Sequence, residues 1–328
     1  MKAITYAEYG PPEVLKLQDV ARPSPKDGEV LIRVHAAEAT KSDCEMRSFR
    51  FSVKWFWLPL RLAIGLRKPR RPILGGYFAG VVEALGAGVS GYSVGEAVFG
   101  SASLKLGAYA EYVALPAGFA ITAKPANMRF AEAAAVPLGG LNALHFMRLA
   151  GIKAGQKILI IGAGGSIGLH AVQIARAMGA EVTAVDSTIK LDLLRRMGAV
   201  HVIDYTRENF ADAGRTYDVV FDMVAQTSFA ACMKVLTADG TYLCGNPRLS
   251  IMLRSLWTSR FTRRTASFAF ARESRAELEA LRDMIEDGRI RPIVDRVYPM
   301  EQAAEAHRRV ETEQRLGAVV IAIDESAG

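Results

Sequence analysis

The chain is poor in cysteine and has no long apolar run. Its 328 residues include three cysteines, which are Cys44, Cys232 and Cys244. Such few and widely spaced cysteines exclude a disulfide framework and favour a reducing compartment, so we expect a cytoplasmic protein. The sequence opens without a charged and apolar leader, and its most apolar stretch, residues 55–66, is short and interrupted by proline, arginine and glycine. Neither segment predicts secretion or membrane insertion.

Acidic residues are absent from two long segments. Residues 46–82 contain eight lysines or arginines and residues 240–272 contain six arginines, without one aspartate or glutamate. Two solvated surface segments explain this pattern most simply, but a rim that steers anions into a cleft, or a membrane-surface patch, also fits. Peripheral membrane contact therefore stays open and is not favoured. The net charge of +7 comes with no recognition motif, so nucleic acid is not a predicted partner.

Length and periodicity predict an α/β protein of two domains. Half of the residues are hydrophobic, which is enough for two cores of ordinary size. Residues 1–120 carry short strand patterns punctuated by glycine and proline. From residue 131 onward, helical patterns alternate with apolar strands, which predicts a doubly wound parallel sheet. Strands are predicted at 30–34, 80–84, 108–113, 157–161, 182–185, 199–203, 217–222, 240–244 and 318–323, and helices at 191–197, 228–236, 275–286 and 303–309.

The most informative motif is a glycine turn after the apolar run 157–161. The turn covers Gly162–Gly168 and leads into a helical pattern, and the next strand ends on Asp186, 18 residues beyond Gly168. A strict Gly-x-Gly-x-x-Gly pattern fails from Gly162, but counting from Ala163 gives the pattern with alanine first. Strand, turn, helix, strand and terminal acid together predict a dinucleotide site, with the pyrophosphate at the helix N-terminus. A glycine-rich turn that binds nothing is the alternative.

Motifs along nearly the whole chain resemble the medium-chain dehydrogenase/reductase superfamily. They are Met1–Ile4 with Gly10–Leu15, Pro23–Ile32, Ala79–Glu83, Val94–Gly100, Gly107–Tyr112, Gly288–Pro292, Glu305–Arg308 and Gly317–Val320. The resemblance implies a GroES-like β-rich catalytic domain at 1–122 and 287–328, an inserted Rossmann domain at 123–286, and catalysis in the cleft between them. Because family dimers commonly pair Rossmann edge strands, a homodimer is expected. Residues 267–271 fit such an edge strand or, equally, a buried internal strand.

The zinc ligands of the alcohol dehydrogenases in this family have no counterpart here. Thr40 stands at the first cysteine position, Gly76-Tyr77 replaces the His-Glu pair, and Gly139 lies near the third ligand position. Cys44 is four positions too late. Since zinc needs three or four real ligands, no metal site is predicted.

The zinc-free quinone oxidoreductases and enone reductases are the branch that the chain resembles. Their Asn-x-x-Asp-x-x-x-Arg segment appears as Thr40-x-x-Asp43-x-x-x-Arg47, and Tyr77 and Asn142 are further departures near the expected nicotinamide pocket. The resemblance implies hydride transfer from NAD(P)H to a quinone or an activated alkene. A zinc-independent alcohol dehydrogenase or carbonyl reductase is the alternative enzyme. A cofactor-binding regulator or membrane-surface scaffold without turnover is the alternative outside enzymes.

Without a metal, hydrogen-bond donors must stabilise the charge that develops on the substrate oxygen. The candidate catalytic residues are Thr40, Lys41, Ser42 and Tyr77. Tyr77 is the leading donor, and it becomes a general acid if Lys41 or the oxidised cofactor lowers its pKa; simple volume filling is its alternative role. Ser42 occupies a proton-relay position of the family. Asp43 is expected to brace the loop through a salt bridge, with Arg47 as the partner we consider.

The acid at the end of the second strand favours NAD(H) over NADP(H), because a carboxylate binds the ribose diol and repels a 2′-phosphate. Ser187, Thr188 and Lys190 follow it, and the zinc-free group often binds NADP(H) through such residues. The predicted cofactor-binding residues are Gly162, Ala163, Gly164, Gly165, Ser166, Ile167, Gly168, Asp186, Ser187, Lys190, Asn142 and Tyr205. The basic segment 46–72 also holds five aromatic residues, which predicts an apolar, basic-rimmed lid over a bulky hydrophobic substrate.

Overall fold

The computed structural model describes residues 1–51, 57–224, 226–245, 248–268 and 273–324. Its strands are β1 (Lys2–Thr5), β2 (Lys16–Asp19), β3 (Glu29–Ala39), β4 (Tyr77–Leu85), β5 (Ala97–Ser101), β6 (Tyr112–Pro116), β7 (Ile121–Ala123), β8 (Lys157–Ile161), β9 (Glu181–Asp186), β10 (His201–Asp204), β11 (Tyr217–Asp222), β12 (Leu236–Cys244), β13 (Thr265–Phe268), β14 (Val294–Pro299) and β15 (Ala318–Ala322). Its α-helices are α1 (Lys41–Ser48), α2 (Trp57–Ile64), α3 (Phe130–Ala134), α4 (Pro137–Ala150), α5 (Ser166–Ala177), α6 (Leu191–Met197), α7 (Phe229–Val235), α8 (Leu249–Phe261), α9 (Arg275–Glu286) and α10 (Ala303–Glu311).

A six-stranded parallel sheet forms the second half of the chain. Its strand order is β10-β9-β8-β11-β12-β13, so the chain winds outward in both directions from β8. The central strand is apolar throughout because helices cover both of its faces: Ile158 and Ile160 belong to one core cluster, and Leu159 and Ile161 to another. This arrangement confirms the predicted doubly wound sheet.

A mostly antiparallel seven-stranded sheet forms the first half and is completed by the end of the chain. Its order is β14-β15-β3-β4-β5-β7, and β6 also pairs with β3. The late strand β15 lies antiparallel to the early strand β3, with Val319 opposite Ala39. The long strand β3 ends at Ala39, and α1 begins at Lys41 with Thr40 between them. The predicted β-rich first part and the returning last strand are therefore both confirmed.

Several predicted elements shift or were missed. The strand predicted at 108–113 lies at 112–116 instead, because residues 108–110 form a turn that contributes only a single bridge between Ala110 and Ala3. Helices α1, α2 and α8 were not predicted. Helix α1 begins at a capping box between Thr40 and Asp43. Helix α8 was not predicted because its apolar residues face outward instead of toward a core.

The segment predicted as an edge or internal strand is partly described. Residues 265–268 form β13, which pairs with β12 and ends the parallel sheet in the part of the chain that the structure describes. Residues 269–271 lie outside the described residues, as do residues 52–56 of the predicted lid. Of the predicted segment 267–271, residues 267 and 268 therefore lie in the edge strand of the described sheet.

Candidate active site

The glycine turn leaves β8 and enters α5 with little room for side chains. Gly162 has φ of 79°, in the left-handed region that favours glycine. A Cβ on Gly168 would collide with the backbone of Gly162 and Ala163, so the turn can close only with glycine there. At Gly165 the nearest atom to such a Cβ among the described residues is the Gly162 carbonyl oxygen, 3.7 Å away, so the backbone is open to a ligand on that side.

The helix after the turn begins without a side-chain cap. Gly165 is the N-cap residue of α5 and offers no side-chain acceptor to the first amide groups. The amides of Ser166, Ile167 and Gly168 are therefore free of a capping side chain at the positive end of a twelve-residue helix. Ile167 is half-buried at this start, whereas Ser166 and Gly168 are buried. This geometry suits a pyrophosphate, which is the group the sequence predicted.

The acid at the end of β9 is held by the turn itself. Asp186 Oδ2 accepts a hydrogen bond from the Gly164 amide at 2.7 Å, and Oδ1 accepts one from the Ser187 amide at 2.8 Å. The Lys190 ammonium lies 3.2 Å from Asp186 Oδ1. The Tyr205 amide donates to the Asp186 carbonyl oxygen at 3.2 Å. The structure thus brings together the four predicted cofactor residues Asp186, Ser187, Lys190 and Tyr205 beside Gly164.

The carboxyl ends of neighbouring strands converge at the turn. A Cβ built on Gly162 would lie 2.9 Å from the Val224 side chain, just after β11. Gly245, just after β12, packs against Met223. The carboxyl ends of β8, β11 and β12 therefore lie together, at the edge where open parallel sheets form their ligand crevice.

Asn142 lies on α4, the helix that packs against α5. Its Nδ2 donates to the Leu138 carbonyl oxygen one turn earlier at 2.8 Å, and the side chain is half-buried. The amide hydrogens are thus partly used within the helix, while the structure shows Asn142 Oδ1 in no hydrogen bond with the described residues. Asn142 is separate from the group around Asp186.

Tyr77 opens strand β4 and reaches across to the other domain. Its hydroxyl donates to Glu273 Oε1 at 2.9 Å, and the Ser101 hydroxyl donates to Glu273 Oε2 at 2.7 Å. Burial raises the pKa of Tyr77 well above its ordinary value, and the Glu273 carboxylate raises it further. The condition set for a general-acid role, a lowered pKa, is therefore not met among the described residues. Lys41, one of the two groups considered for lowering it, is exposed and pairs with Glu313 instead.

The Thr40 hydroxyl forms its hydrogen bonds within the N-terminal cap of α1. Its Oγ1 donates to Asp43 Oδ2 at 2.6 Å and accepts from the Asp43 amide at 3.1 Å. Asp43 also accepts from the Gly75 amide at 3.1 Å and from the Tyr109 hydroxyl at 3.2 Å. A hydroxyl proton held at 2.6 Å by a buried carboxylate is not available to a substrate. Ser42, the next candidate along the chain, is exposed in the first turn of α1.

Asp43 braces the loop as expected, but not through Arg47. The Arg47 guanidinium forms its ion pair with Glu311 of α10 and donates to His307 Nδ1 at 3.2 Å. Since Nδ1 accepts, Nε2 carries the proton and donates to the Tyr109 hydroxyl at 3.2 Å, which in turn donates to Asp43. Burial and Arg47 lower the pKa of His307 to about 3, so this imidazole is neutral. The network ties α1 to α10.

Glu38 is a buried carboxyl that the sequence argument missed. It lies on β3 two residues before Thr40, and its Oε2 has no hydrogen-bond partner among the described residues. Burial raises its pKa to about 8, although Arg315 and the Ser166 hydroxyl act in the opposite direction. The charge of Glu38 also contributes to the raised pKa of Tyr77, so the two groups lie within electrostatic range of each other. An acid within the otherwise apolar stretch 36–39 was the signal available in the sequence.

The residues present do not fit zinc. The three ligand positions hold Thr40, Gly76-Tyr77 and Gly139, and neither a glycine nor a capped threonine supplies a zinc ligand of the usual kind. Within the described ranges, no group of three or more histidine, cysteine, aspartate or glutamate residues could hold a metal ion. In the same ranges, no helix combines the length and the apolarity needed to cross a membrane.

Comparison with protein families matches three segments of the chain. Residues 26–125 match the alcohol dehydrogenase GroES-like domain, and residues 197–321 match the zinc-binding dehydrogenase family. Residues 131–235 match the alanine dehydrogenase/PNT C-terminal domain. The zinc in the second family description has no ligand set here.

Whole-chain relatives are oxidoreductases. The chain is 32% identical to a quinone oxidoreductase of Pongo abelii, over 94% of both chains. It is 32% identical to the chloroplastic NADPH-dependent alkenal/one oxidoreductase of Arabidopsis thaliana, over 98% of this chain and 79% of the relative. The solved structure of the quinone oxidoreductase from Coxiella burnetii superposes with a TM-score of 0.88 at 28% identity, covering 99% of each chain.

The two-sheet fold and the dinucleotide turn define a nicotinamide-dependent oxidoreductase. The whole-chain identities make the assignment more specific. The chain belongs to the medium-chain dehydrogenase/reductase superfamily, within the group of quinone oxidoreductases and enone reductases. The expected family and fold are therefore confirmed.

Proposed function

We propose that the protein reduces a hydrophobic quinone or an activated alkene such as an enone, by hydride transfer from a nicotinamide dinucleotide and without zinc. The observation that carries the proposal is the open glycine turn at the start of α5, where the Ser166 hydroxyl acts on the Glu38 carboxyl and Glu38 acts in turn on Tyr77. We place the substrate between this turn and Tyr77, at the positions where zinc-dependent relatives hold their metal. The relatives named quinone oxidoreductase and alkenal/one oxidoreductase support the substrate class.

The chain contributes binding at one end of the crevice. The open backbone at Gly165 and the uncapped start of α5 hold the pyrophosphate, and Asp186 accepts from the ribose hydroxyls. The cofactor, when bound, supplies the hydride. Asn142 is proposed to contact the cofactor through its carbonyl oxygen, because its amide hydrogens are partly used within α4.

At the other end of the crevice, Tyr77 orients the substrate and Glu38 holds a proton. The raised pKa keeps the Tyr77 proton in place, so Tyr77 is proposed as a hydrogen-bond donor rather than as an acid, with the substrate oxygen replacing Glu273 as the acceptor when substrate binds. Glu38 is largely protonated at pH 7 and is the proton source we propose. Exposed Ser42 remains the proposed relay residue to solvent. Thr40 and Lys41 are not retained as proposed donors, because Thr40 donates to Asp43 and Lys41 pairs with Glu313.

We propose NAD(H) as the preferred cofactor. The support is the Asp186 carboxylate, held by two backbone amides where the ribose would lie. The ammonium of Lys190 beside it would stabilise a 2′-phosphate, and one relative is named NADPH-dependent. Competing KM values for NADH and NADPH test the preference, and a strong preference for NADPH would contradict it.

The remaining assignments are proposals with narrower support. The domain boundaries at 122/123 and 286/287 are unchanged. A homodimer paired along β13 is supported by the position of that strand at the sheet edge. A cytoplasmic location is supported by three cysteines that are all buried and form no disulfide among the described residues.

Oxidation of NADH and NADPH with a panel of quinones, enones and aldehydes tests the function. We expect turnover with quinones or enones that a zinc chelator does not change. Turnover confined to aldehydes would favour the carbonyl reductase alternative, and cofactor binding without turnover on any substrate would favour a non-catalytic role. Either result would overturn the proposal.

A further inference from the structure

Helix α8 turns its apolar side chains outward. Its large apolar residues are exposed by about half or more: Leu249 (49%), Leu253 (61%), Leu256 (61%), Trp257 (64%) and Phe261 (65%). Their spacing of four, three, one and four residues places them on a single face of the helix. The side chains that α8 buries against the protein are Ile251, Ser255 and Thr258. The face directed away from the protein is thus more apolar than the buried face, the reverse of an ordinary surface helix.

The charge around this apolar face has one sign. Residues 240–272 contain six arginines and no acid. Arg263 pairs with Asp239, and Arg264 donates to backbone carbonyls of β12. Arg248, Arg254 and Arg260 have no acidic partner in the part of the chain that the structure describes. Helical spacing places Arg254 at one edge of the apolar stripe and Arg260 within it, where it contacts the Phe261 ring. Such a mixture of leucine, aromatic and arginine residues on an exposed face is the composition of helices that lie in a membrane interface.

The same charges argue against a second copy of the chain on this face. In a two-fold contact the same patch meets itself, so Arg254 and Arg260 would face arginines with no acid within the segment to neutralise them. Anionic headgroups neutralise these arginines instead, while their aliphatic stems and Trp257 cover the upper acyl region. Charge complementarity therefore selects an anionic lipid surface as the occupant.

We propose that the exposed face of α8 binds the surface of an anionic phospholipid membrane, with Leu253, Trp257 and Phe261 inserted at the level of the headgroups. The contact is peripheral, since no helix among the described residues is long and apolar enough to span the bilayer. Binding needs neither cofactor nor substrate, so it stands or falls separately from the proposed reaction.

Sedimentation of the full-length protein with vesicles tests the proposal. Vesicles of phosphatidylcholine alone are compared with vesicles containing about a third phosphatidylglycerol, at low and at high salt. We expect binding to the anionic vesicles only, weakened by salt. The double variant Leu253→Ser/Trp257→Ser and the charge reversal Arg254→Glu/Arg260→Glu should each weaken binding about tenfold or more. Leu104→Ser, at a residue 81% exposed in the other domain, and Lys153→Glu should bind like the wild type.

Fluorescence of Trp257 supplies a second readout. The chain has three tryptophans, so Trp55→Phe/Trp57→Phe leaves Trp257 as the only reporter. We expect its emission to shift to shorter wavelength with anionic vesicles. Absence of binding, or binding that the α8 variants do not change, would overturn the proposal. A dimer in light scattering whose Trp257 is already shielded from quenchers and insensitive to vesicles would overturn it as well. Reduction of a water-soluble quinone by the α8 variants serves as the folding control.

Discussion

The two ends of the crevice are built in different ways. On the cofactor side, Gly162–Gly168 and Asp186 lie within about 25 residues of one another, and the main contact is a backbone amide donating to a carboxylate. On the pocket side, Tyr77 donates a hydrogen bond to Glu273 from a distant part of the chain. The charge of Glu38 raises the pKa of Tyr77, and the Ser166 hydroxyl works against the raised pKa of Glu38. The cofactor side is a local motif, whereas the pocket side exists only once both domains have folded and met.

The largest effect is expected from a substitution in the glycine turn on the cofactor side. Gly168→Val adds a side chain where the Cβ alone would collide with the backbone of Gly162 and Ala163. We expect affinity for the dinucleotide to fall about a hundredfold or more, since a backbone collision cannot be relieved by rotating a side chain. Quenching of protein fluorescence by NADH measures the affinity. Gly118→Val, at a position with open space, is the control, and equal affinities in the two variants would contradict the prediction.

A smaller effect is expected from the pocket side. Tyr77→Phe removes the proposed donor and leaves the ring in place. We expect kcat to fall between about tenfold and a hundredfold, with unchanged affinity for the cofactor, because one preorganised donor is lost. Steady-state kinetics with the best quinone or enone measures the loss. Unchanged turnover on every accepted substrate would leave Tyr77 as a volume-filling residue.

The choice between NADH and NADPH is expected to depend on the cofactor side of the crevice. In Asp186→Ser the carboxylate no longer repels a 2′-phosphate, and Lys190 loses its ion-pair partner. We expect the ratio of kcat/KM for NADPH to that for NADH to rise about tenfold, a change of about 1.4 kcal/mol. The exposed Asp192→Ser is the matched control. A ratio that stays constant would show that Asp186 does not determine the choice of cofactor.

The pH dependence of stability probes Glu38. The folded protein raises its pKa from 4.5 to about 8, so folding favours the protonated carboxyl. The stability that this group contributes is therefore complete below pH 4.5 and is lost as the pH rises toward 8. Glu38→Gln does not titrate, so its Tm should exceed that of the wild type increasingly over this range, on the order of a few kcal/mol in unfolding free energy. Parallel Tm curves would contradict the shift.

The sequence predicted the parts of the molecule that depend on neighbouring residues. Strand β11 and helices α6 and α9 lie at their predicted bounds, because their periodicity and glycine stops are local. The cofactor residues Asp186, Ser187, Lys190 and Tyr205 meet as the strand order requires. Periodicity could not predict α8, since its apolar face does not point to a core.

The pocket could be predicted only in outline. Family position identified Tyr77, but not its partner Glu273, because the two residues are nearly 200 positions apart and meet across two domains. The raised pKa of Tyr77 could not be predicted for the same reason, because Glu273 contributes to it. Glu38 was missed because one acid in an apolar strand gives no motif, and its burial follows from tertiary packing. Thr40 was counted as an available donor because its hydrogen bond to Asp43 is seen only in the structure.

The pairing of β15 with β3 has a consequence for folding. Val319 and Ala39 are about 280 residues apart, so the entropy lost on closing this contact is large unless the intervening chain is already compact. The parallel sheet between them consists of nearer neighbours and can form while the chain is still being synthesised. The strands of the seven-stranded sheet are thus the first to be synthesised, but that sheet is the last to be completed. Its final strand, β15, joins β3 after the folded parallel sheet has brought the two strands closer together.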